Sequence, residues 1–338
     1  MTNSYVPEIF KFSGAGNDFV VIDGRSGGVD DFRQPQRITQ LCREYKTDGL
    51  MILSLSDTTV MPGPDRASLP DFIMEFFNPD GSGGMMCGNG GRCIVAFADY
   101  LGLEPASPDG TWHFLAPDGI HEARILDRSI TSGGTPLASL APAPPTADAA
   151  GPSPYPCPGV DMSSGRDTPV LRWTVRLKMI DVQGVTSVKN GYFLNTGTRH
   201  YVQFVKDVDA IDMEKEAKPI RWDAAFQPEG TNVNFVQVTP EGLKVRTFEK
   251  GVEGETLACG TGITASAIAA CYAQIPDQVG DDDGATVTDT RHARPRPGIS
   301  YRLQCRRGDW LQVEFKRLED GFSDVFLTGP AELTAISK

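Results

Sequence analysis

Two cysteines stand in the same local setting. Cys87 opens a Cys-Gly-Asn-Gly run and Cys259 a Cys-Gly-Thr-Gly run, and each follows a strand-like segment and a Gly-rich loop. Each also precedes a run that reads as helix, over 88–101 and 260–273. The first amides of a helix lack intrahelical partners and carry roughly half a positive charge. A thiol placed there is expected to ionise below its ordinary pKa of about 8.5. Glycines at 88, 90, 260 and 262 carry no Cβ, which lets an anionic group approach those amides. Cys42, Cys93, Cys157, Cys271 and Cys305 have no such setting and read as small apolar fillers.

Two activated thiols suit one reaction type in particular, removal of a proton from one face of a carbon and its return from the other. Such an inversion needs two acid–base groups, one starting as base and one as acid, whose roles exchange with each turnover. A dithiol redox site would use the same pair, but redox pairs come as local C-x-x-C, and these cysteines lie 172 positions apart. The run from Gly260 to Ala265 fits G-x-G-x-x-A, yet no parallel βαβ pattern follows it, so a dinucleotide site is not expected. No paired zinc-type spacing is present, so neither a metal nor a cofactor is expected.

The elements that must position these thiols repeat. A strand over 71–78 leads to Cys87 and its helix, and a strand over 243–248 leads to Cys259 and its helix. Both helical runs are apolar nearly all round, as a helix is when a sheet encloses it. Alternating residues mark strands over 72–77 and 171–178, with shorter candidates at 19–23, 50–55, 201–205, 232–238, 301–305, 311–315 and 325–327. The reading is an α+β chain of two similar domains, each a mostly antiparallel sheet around one central helix. Residues 131–169 hold nine of the chain's 25 prolines amid Ala, Gly and Ser, and 278–298 combines an acidic run with Arg-Pro repeats; both read as flexible insertions. The expected boundaries are 1–126 for the first domain, 127–170 for an insertion or linker, 171–324 for the second domain, and 325–338 for a terminal strand returning to the first.

Composition narrows the classes. The 338 residues suit two domains, and 32 Lys and Arg against 44 Asp and Glu leave a net charge of −12, which speaks against a nucleic-acid partner. No apolar run reaches the ~18 residues of a spanning helix, and residues 1–12 lack the layout of a secretory signal. A cytoplasmic protein with reduced thiols is expected.

On these motifs the chain resembles the diaminopimelate epimerase family. The residues that carry the resemblance are Phe12-Ser-Gly-Ala-Gly-Asn-Asp-Phe, then Phe77-Asn-Pro-Asp-Gly-Ser with Met86-Cys-Gly-Asn-Gly-Gly-Arg, and Gly254-Glu-Thr-Leu-Ala-Cys-Gly-Thr-Gly. The resemblance implies two domains related by a pseudo-twofold axis and facing each other across a cleft, a homodimer, and cofactor-independent epimerisation of a small amino acid, 2,6-diaminopimelate. It makes Cys87 and Cys259 the acid–base pair, and Gly88, Asn89, Gly260 and Thr261 the cradles for the reacting carboxylate. Asn17, Asn78 and Asn232 become substrate-binding amides, Glu249 the acid that meets a substrate ammonium, and His200 a histidine near the site. The chain departs from the family's pattern at Gly49, where a Gln is usual, at Thr198, where an Asn is usual, and at Lys250, where an Arg is usual. All three bear on the distal end of the substrate. Proline racemases and hydroxyproline epimerases, which share the fold and a cysteine pair, are the enzymatic alternative. A solute-binding protein of the same fold is the non-enzymatic one.

Overall fold

The computed structural model describes residues 7–55, 69–84, 86–132, 135–139, 170–276 and 298–337. The chain divides into two compact units, residues 1–177 with 329–338, and residues 178–328.

In the first unit the sheet closes on itself. β1 (Ile9–Gly14) and β2 (Asn17–Asp23) form a hairpin, and helix α1 (Pro35–Tyr45) crosses over to β3 (Gly49–Ser54), parallel to β2. β4 (Phe72–Phe77) returns antiparallel, and helix α2 (Gly88–Tyr100) crosses to β5 (Trp112–Ala116), parallel to β4. β6 (Gly119–Ser132) completes a hairpin with β5 and pairs with β7 (Thr135–Ser139) and with β8 (Val170–Lys178). The last strand of the chain, β17 (Phe322–Ser337), fits its C-terminal half between β8 and β1 and closes the ring. Helix α2 fills that ring, and all thirteen of its residues are buried. This enclosure is why the helix has no polar face.

The second unit repeats the order. After β9 (Thr186–Val188), β10 (Gly191–Asn195) and β11 (Arg199–Phe204) form a hairpin, and α3 (Met213–Arg221) crosses to the parallel β12 (Asn232–Thr239). β13 (Gly242–Glu249) returns antiparallel and carries the short β14 (Gly254–Thr256). Helix α4 (Gly260–Tyr272) then crosses to β15 (Ile299–Gln304), parallel to β13, and β16 (Trp310–Arg317) and the first half of β17 follow antiparallel. The fold is the expected sheet-rich α+β class.

Residue patterns explain the layers. β4 and β8 alternate strictly, burying Phe72, Met74 and Phe76, and Leu171, Trp173, Val175 and Leu177, because one face meets α2 and the other is half-solvated. β2 and β3 are apolar on both faces because α1 covers the outside, where Val20, Ile22, Leu50 and Ile52 meet Ile38, Leu41 and Cys42. α3 covers β12 and β13 likewise, over Val233, Phe235 and Phe248. α1 begins with Pro35 at its first turn and ends at Lys46 in the left-handed conformation, φ 51°.

The expected boundaries need two corrections. β8 belongs to the first unit and not to the second, since it pairs with β6 and with the returning end of β17. The linker does not start at 127, because 127–132 continue β6, and Arg128 holds a carboxylate on α2. Asp99 accepts from Arg128 Nε at 2.9 Å and Nη2 at 2.6 Å, and from Trp173 Nε1 at 2.8 Å. Most of the expected insertion, and 278–297 of the expected loop, lie outside the described residues.

Asp99 thus ties α2 to the strands that flank the insertion. Asp99→Ala leaves a largely buried guanidinium and an indole N–H without their acceptor, and is expected to destabilise the chain by about 3 kcal/mol. Urea unfolding of wild type and variant measures it, and a loss below about 1 kcal/mol would show that this carboxylate does not anchor the helix.

Candidate active site

Each central helix begins on its cysteine. Cys87 is the N-cap of α2 and its Sγ accepts from Gly90 N at 3.2 Å; Cys259 is the N-cap of α4 and its Sγ accepts from Gly262 N at 3.4 Å. An N-cap is normally Ser, Thr, Asp or Asn, so a thiol in that role receives the helix's orphan amide. The glycines at the third helical position are explained by this contact. A Cβ at Gly90 would lie 3.3 Å from Cys87 Sγ, and one at Gly262 would lie 2.5 Å from Asn234 Oδ1. These two glycines admit neighbouring side chains of the protein itself.

In the first unit the β1–β2 turn, the start of β3 and the first turn of α2 converge. Asn89 Nδ2 donates to Asn17 Oδ1 at 2.5 Å, and Asn17 also hydrogen-bonds the Asp48 carboxylate. Gly14 is required here, because a Cβ would sit 2.8 Å from Asn89 O and 2.9 Å from Cys93 Sγ. Asn78 follows β4 and uses its amide on its own loop, donating to Ser82 Oγ at 3.0 Å and Gly83 O at 3.5 Å. That is a turn role. Gly49 has no room for a longer side chain, since a Cβ there would meet Phe77 O at 2.9 Å and the Phe76 ring at 3.1 Å.

The corresponding corner of the second unit gathers Thr198, His200, Asn232, Glu249, Gly260 and Thr261 around Cys259. His200 is fully buried, and burial lowers its pKa to about 3, so it is neutral. Its tautomer follows from its partners. Asn234 Nδ2 donates to Tyr201 O at 3.3 Å and to His200 Nδ1 at 2.9 Å, while Asn234 Oδ1 accepts from Thr247 Oγ1 at 2.9 Å. The imidazole proton is therefore on Nε2, which faces Thr198 Oγ1 at 2.9 Å and Thr261 Oγ1 at 3.0 Å. Thr261 Oγ1 in turn lies 3.4 Å from Cys259 Sγ. Asn232 accepts from Lys250 N at 2.8 Å and donates to Thr198 Oγ1 at 3.2 Å, so Lys250 enters this network through its backbone. Glu249 accepts from Thr256 Oγ1 at 2.6 Å and interacts with the Cys259 thiol.

The expectation that both thiols ionise easily is corrected for Cys259. It is 8% exposed, and burial, then the negative charge of Glu249, push its pKa well above the ordinary value. The Thr261 hydroxyl and Gly262 amide pull the other way and do not prevail. Burial and the Glu249 charge both favour the protonated thiol. Cys87 is half-buried.

Sequence reasoning did not single out Asn234, Thr247 or Arg92. The first two sit in β12 and β13 among apolar residues, where a buried polar side chain needs a partner. Arg92 could have been noticed as a cation inside an otherwise apolar helical turn.

Comparisons with known proteins follow this geometry. A family profile described as diaminopimelate epimerase matches residues 192–284. The diaminopimelate epimerase of Flavobacterium psychrophilum is 32% identical, over 96% of this chain and 97% of its own. That of Aquifex aeolicus is 34% identical, over 95% and 94%. Among solved structures, a phenazine biosynthesis protein of the PhzF family from Bacillus anthracis shares the fold, with TM-score 0.59 and 11% identity over 98% of this chain and 97% of its own. A hydroxyproline epimerase from Agrobacterium vitis does so with TM-score 0.52 and 13% identity, over 98% and 90%. With near-full-length identity above 30% to these relatives and an N-cap cysteine on each central helix, the chain belongs to the diaminopimelate epimerase family.

Proposed function

We propose that this chain interconverts LL- and meso-2,6-diaminopimelate without a cofactor, Cys87 and Cys259 serving as the two acid–base groups at the α-carbon. The observation that carries the reading is the pair of thiols capping the N-termini of two enclosed helices, each beside its own cluster of polar side chains. The curated relatives named diaminopimelate epimerase support the substrate.

Burial and Glu249 favour the thiol form of Cys259, and on that basis we assign it the acid's part and Cys87 the base's part at the start. Cys87 takes the α-proton as a thiolate, and the electrons of the broken C–H bond pass into the substrate carboxylate. In this reading, helix N-terminal amides stabilise that developing charge. Cys259 then delivers its proton to the opposite face of the carbon, and the two sulfurs end with their protonation exchanged. Neutral His200 is a fixed donor toward Thr198 and Thr261 and takes no proton in this scheme. As the family resemblance implies, we place the enzyme in the cytoplasm as a homodimer, on the route to lysine and peptidoglycan precursors. Among the described residues no helix is long and apolar enough to cross a membrane.

In deuterated buffer the enzyme is expected to exchange the α-hydrogen of diaminopimelate for deuterium, and to do so after exhaustive dialysis against a chelator. Proline and hydroxyproline run in parallel should stay unlabelled. Labelling of those two alone, or activity that returns only with an added cofactor, would remove this reading.

Replacing either cysteine by serine changes side-chain volume little but substitutes a much weaker acid. Cys87→Ser and Cys259→Ser are each expected to lower kcat by about 10³-fold while the melting temperature stays close to wild type. Wild-type turnover by either variant would defeat the two-thiol assignment.

The resting state of Cys259 is open to direct measurement in the Cys87→Ser background. Its alkylation by iodoacetamide should be slow at neutral pH and rise only in the alkaline range. Glu249→Gln removes the neighbouring negative charge, so the rise should move to lower pH. A rise already complete near pH 7 would mean that Cys259 rests as the thiolate.

A further inference from the structure

Arg92 is a fully buried cation (0% exposed) one turn into α2. Its Nη1 donates to Gly88 O at 3.2 Å, its Nη2 to Asn89 Oδ1 at 2.8 Å, and its Nε to Pro330 O at 3.3 Å. The matching position of α4, also five residues after the cysteine, is Thr264, whose hydroxyl donates to Gly260 O at 2.9 Å. That first helical carbonyl, which the backbone N–H four residues on also serves, therefore takes a hydroxyl just as well in the second unit. Desolvating a guanidinium is costly, and its added consequence falls on Asn89.

A guanidinium has donors and no acceptor, so Asn89 must turn Oδ1 toward Arg92. Its Nδ2 then faces Asn17 Oδ1, at 2.5 Å. With its oxygen engaged, Asn17 directs Nδ2 to the Asp48 carboxylate, which also accepts from Asp18 N at 2.9 Å. A guanidinium that can only donate at one end, and at the other the Asp48 carboxyl, pushed up by burial and pulled down by the Asp18 amide and the Asn17 side chain, set the orientation of both amides between them. Asn89 is 2% exposed and Asn17 is half-buried, so Asn17 is the member of the chain a substrate can reach. Each Nδ2 carries two protons, and the relay uses one of each.

We propose that Arg92 is a positioning residue for the reaction: through Asn89 it holds the Asn17 carboxamide with its N–H, and not its oxygen, available to the substrate carboxylate, with Asp48 as the opposite pole. A flipped Asn17 would set its oxygen against an anion. The role in turnover rests on the epimerase reading above, whereas the relay itself is a property of the free protein.

The test therefore has one arm without substrate. In the full-length protein, the side-chain amide NMR signals of Asn17 and Asn89, assigned with Asn17→Ser and Asn89→Ser, should show slow exchange with solvent. In Arg92→Met the Asn17 signal should exchange at least about 10-fold faster. In the second arm, Arg92→Met should lower kcat for diaminopimelate by about 10²-fold with a smaller change in KM, and Arg92→Lys should restore part of it. Combined with Asp48→Asn, the loss should be smaller than the product of the two single losses, since both act on the same amides. If Arg92→Met does not fold, Asp48→Asn at the exposed end carries the same two readouts. An unchanged Asn17 signal in whichever variant is folded overturns the relay. A responsive Asn17 signal in a protein that does not turn over diaminopimelate upholds the relay and overturns the epimerase reading instead.

Discussion

Each central helix lacks a polar face, and that is the constraint on which the structure depends. Such a helix is stable in water only if surrounded. In the first unit the surrounding is achieved by closing the ring β1–β2–β3–β4–β5–β6–β8–β17 around α2. Closure needs the last residues of the chain, since β17 bridges β8 and β1. Phe10 and Phe12 from the strands meet Phe97 inside, and Trp173 meets Phe12, which fills the space around the helix. Asp99 then fixes the helix to β6 and β8 at its far end.

Enclosure determines what the helix can offer chemically. A buried helix presents only its ends, and here the N-terminal end carries the thiol, the glycines and the unpaired amides. The candidate site residues come from the same four places in both units: a hairpin turn, a strand start after the first crossover, a strand end before the second, and the first helical turn. Asn17, Asp48, Asn78 and Asn89 occupy them in the first unit, and Thr198, Asn232, Glu249 and Thr261 in the second. The scaffold is repeated, while the side chains it carries are not.

That difference makes the electrostatic surroundings of the two helix starts unlike. The first turn of α2 holds a buried cation, Arg92, whereas α4 has Thr264 at that position and an anion, Glu249, beside its thiol. A negative neighbour and burial both disfavour a thiolate. One departure from the family pattern has a steric cause. At Gly49 the space is taken by Phe76, whose ring lies against both Gly49 and Gly84, so the start of β3 has no room for an amide side chain.

The sequence by itself determined the strands with clean alternation, such as β4 and β8, and the two enclosed helices, because period and apolar content survive without any knowledge of partners. It also determined the two Cys-Gly-x-Gly starts, because that signal is local and repeated. It did not determine β1, β5 or β10, which are short and irregular, nor that 127–132 and β8 belong to one unit, since strand pairing between distant residues leaves no local trace. The state of Cys259 was left open by the sequence for a related reason. A helix N-terminus is a local feature that favours ionisation, but burial and the approach of Glu249 are tertiary, and they outweigh it. The roles of Asn234, Thr247 and Arg92 were decided at the same level, since each depends on which buried donor or acceptor the fold brings within reach.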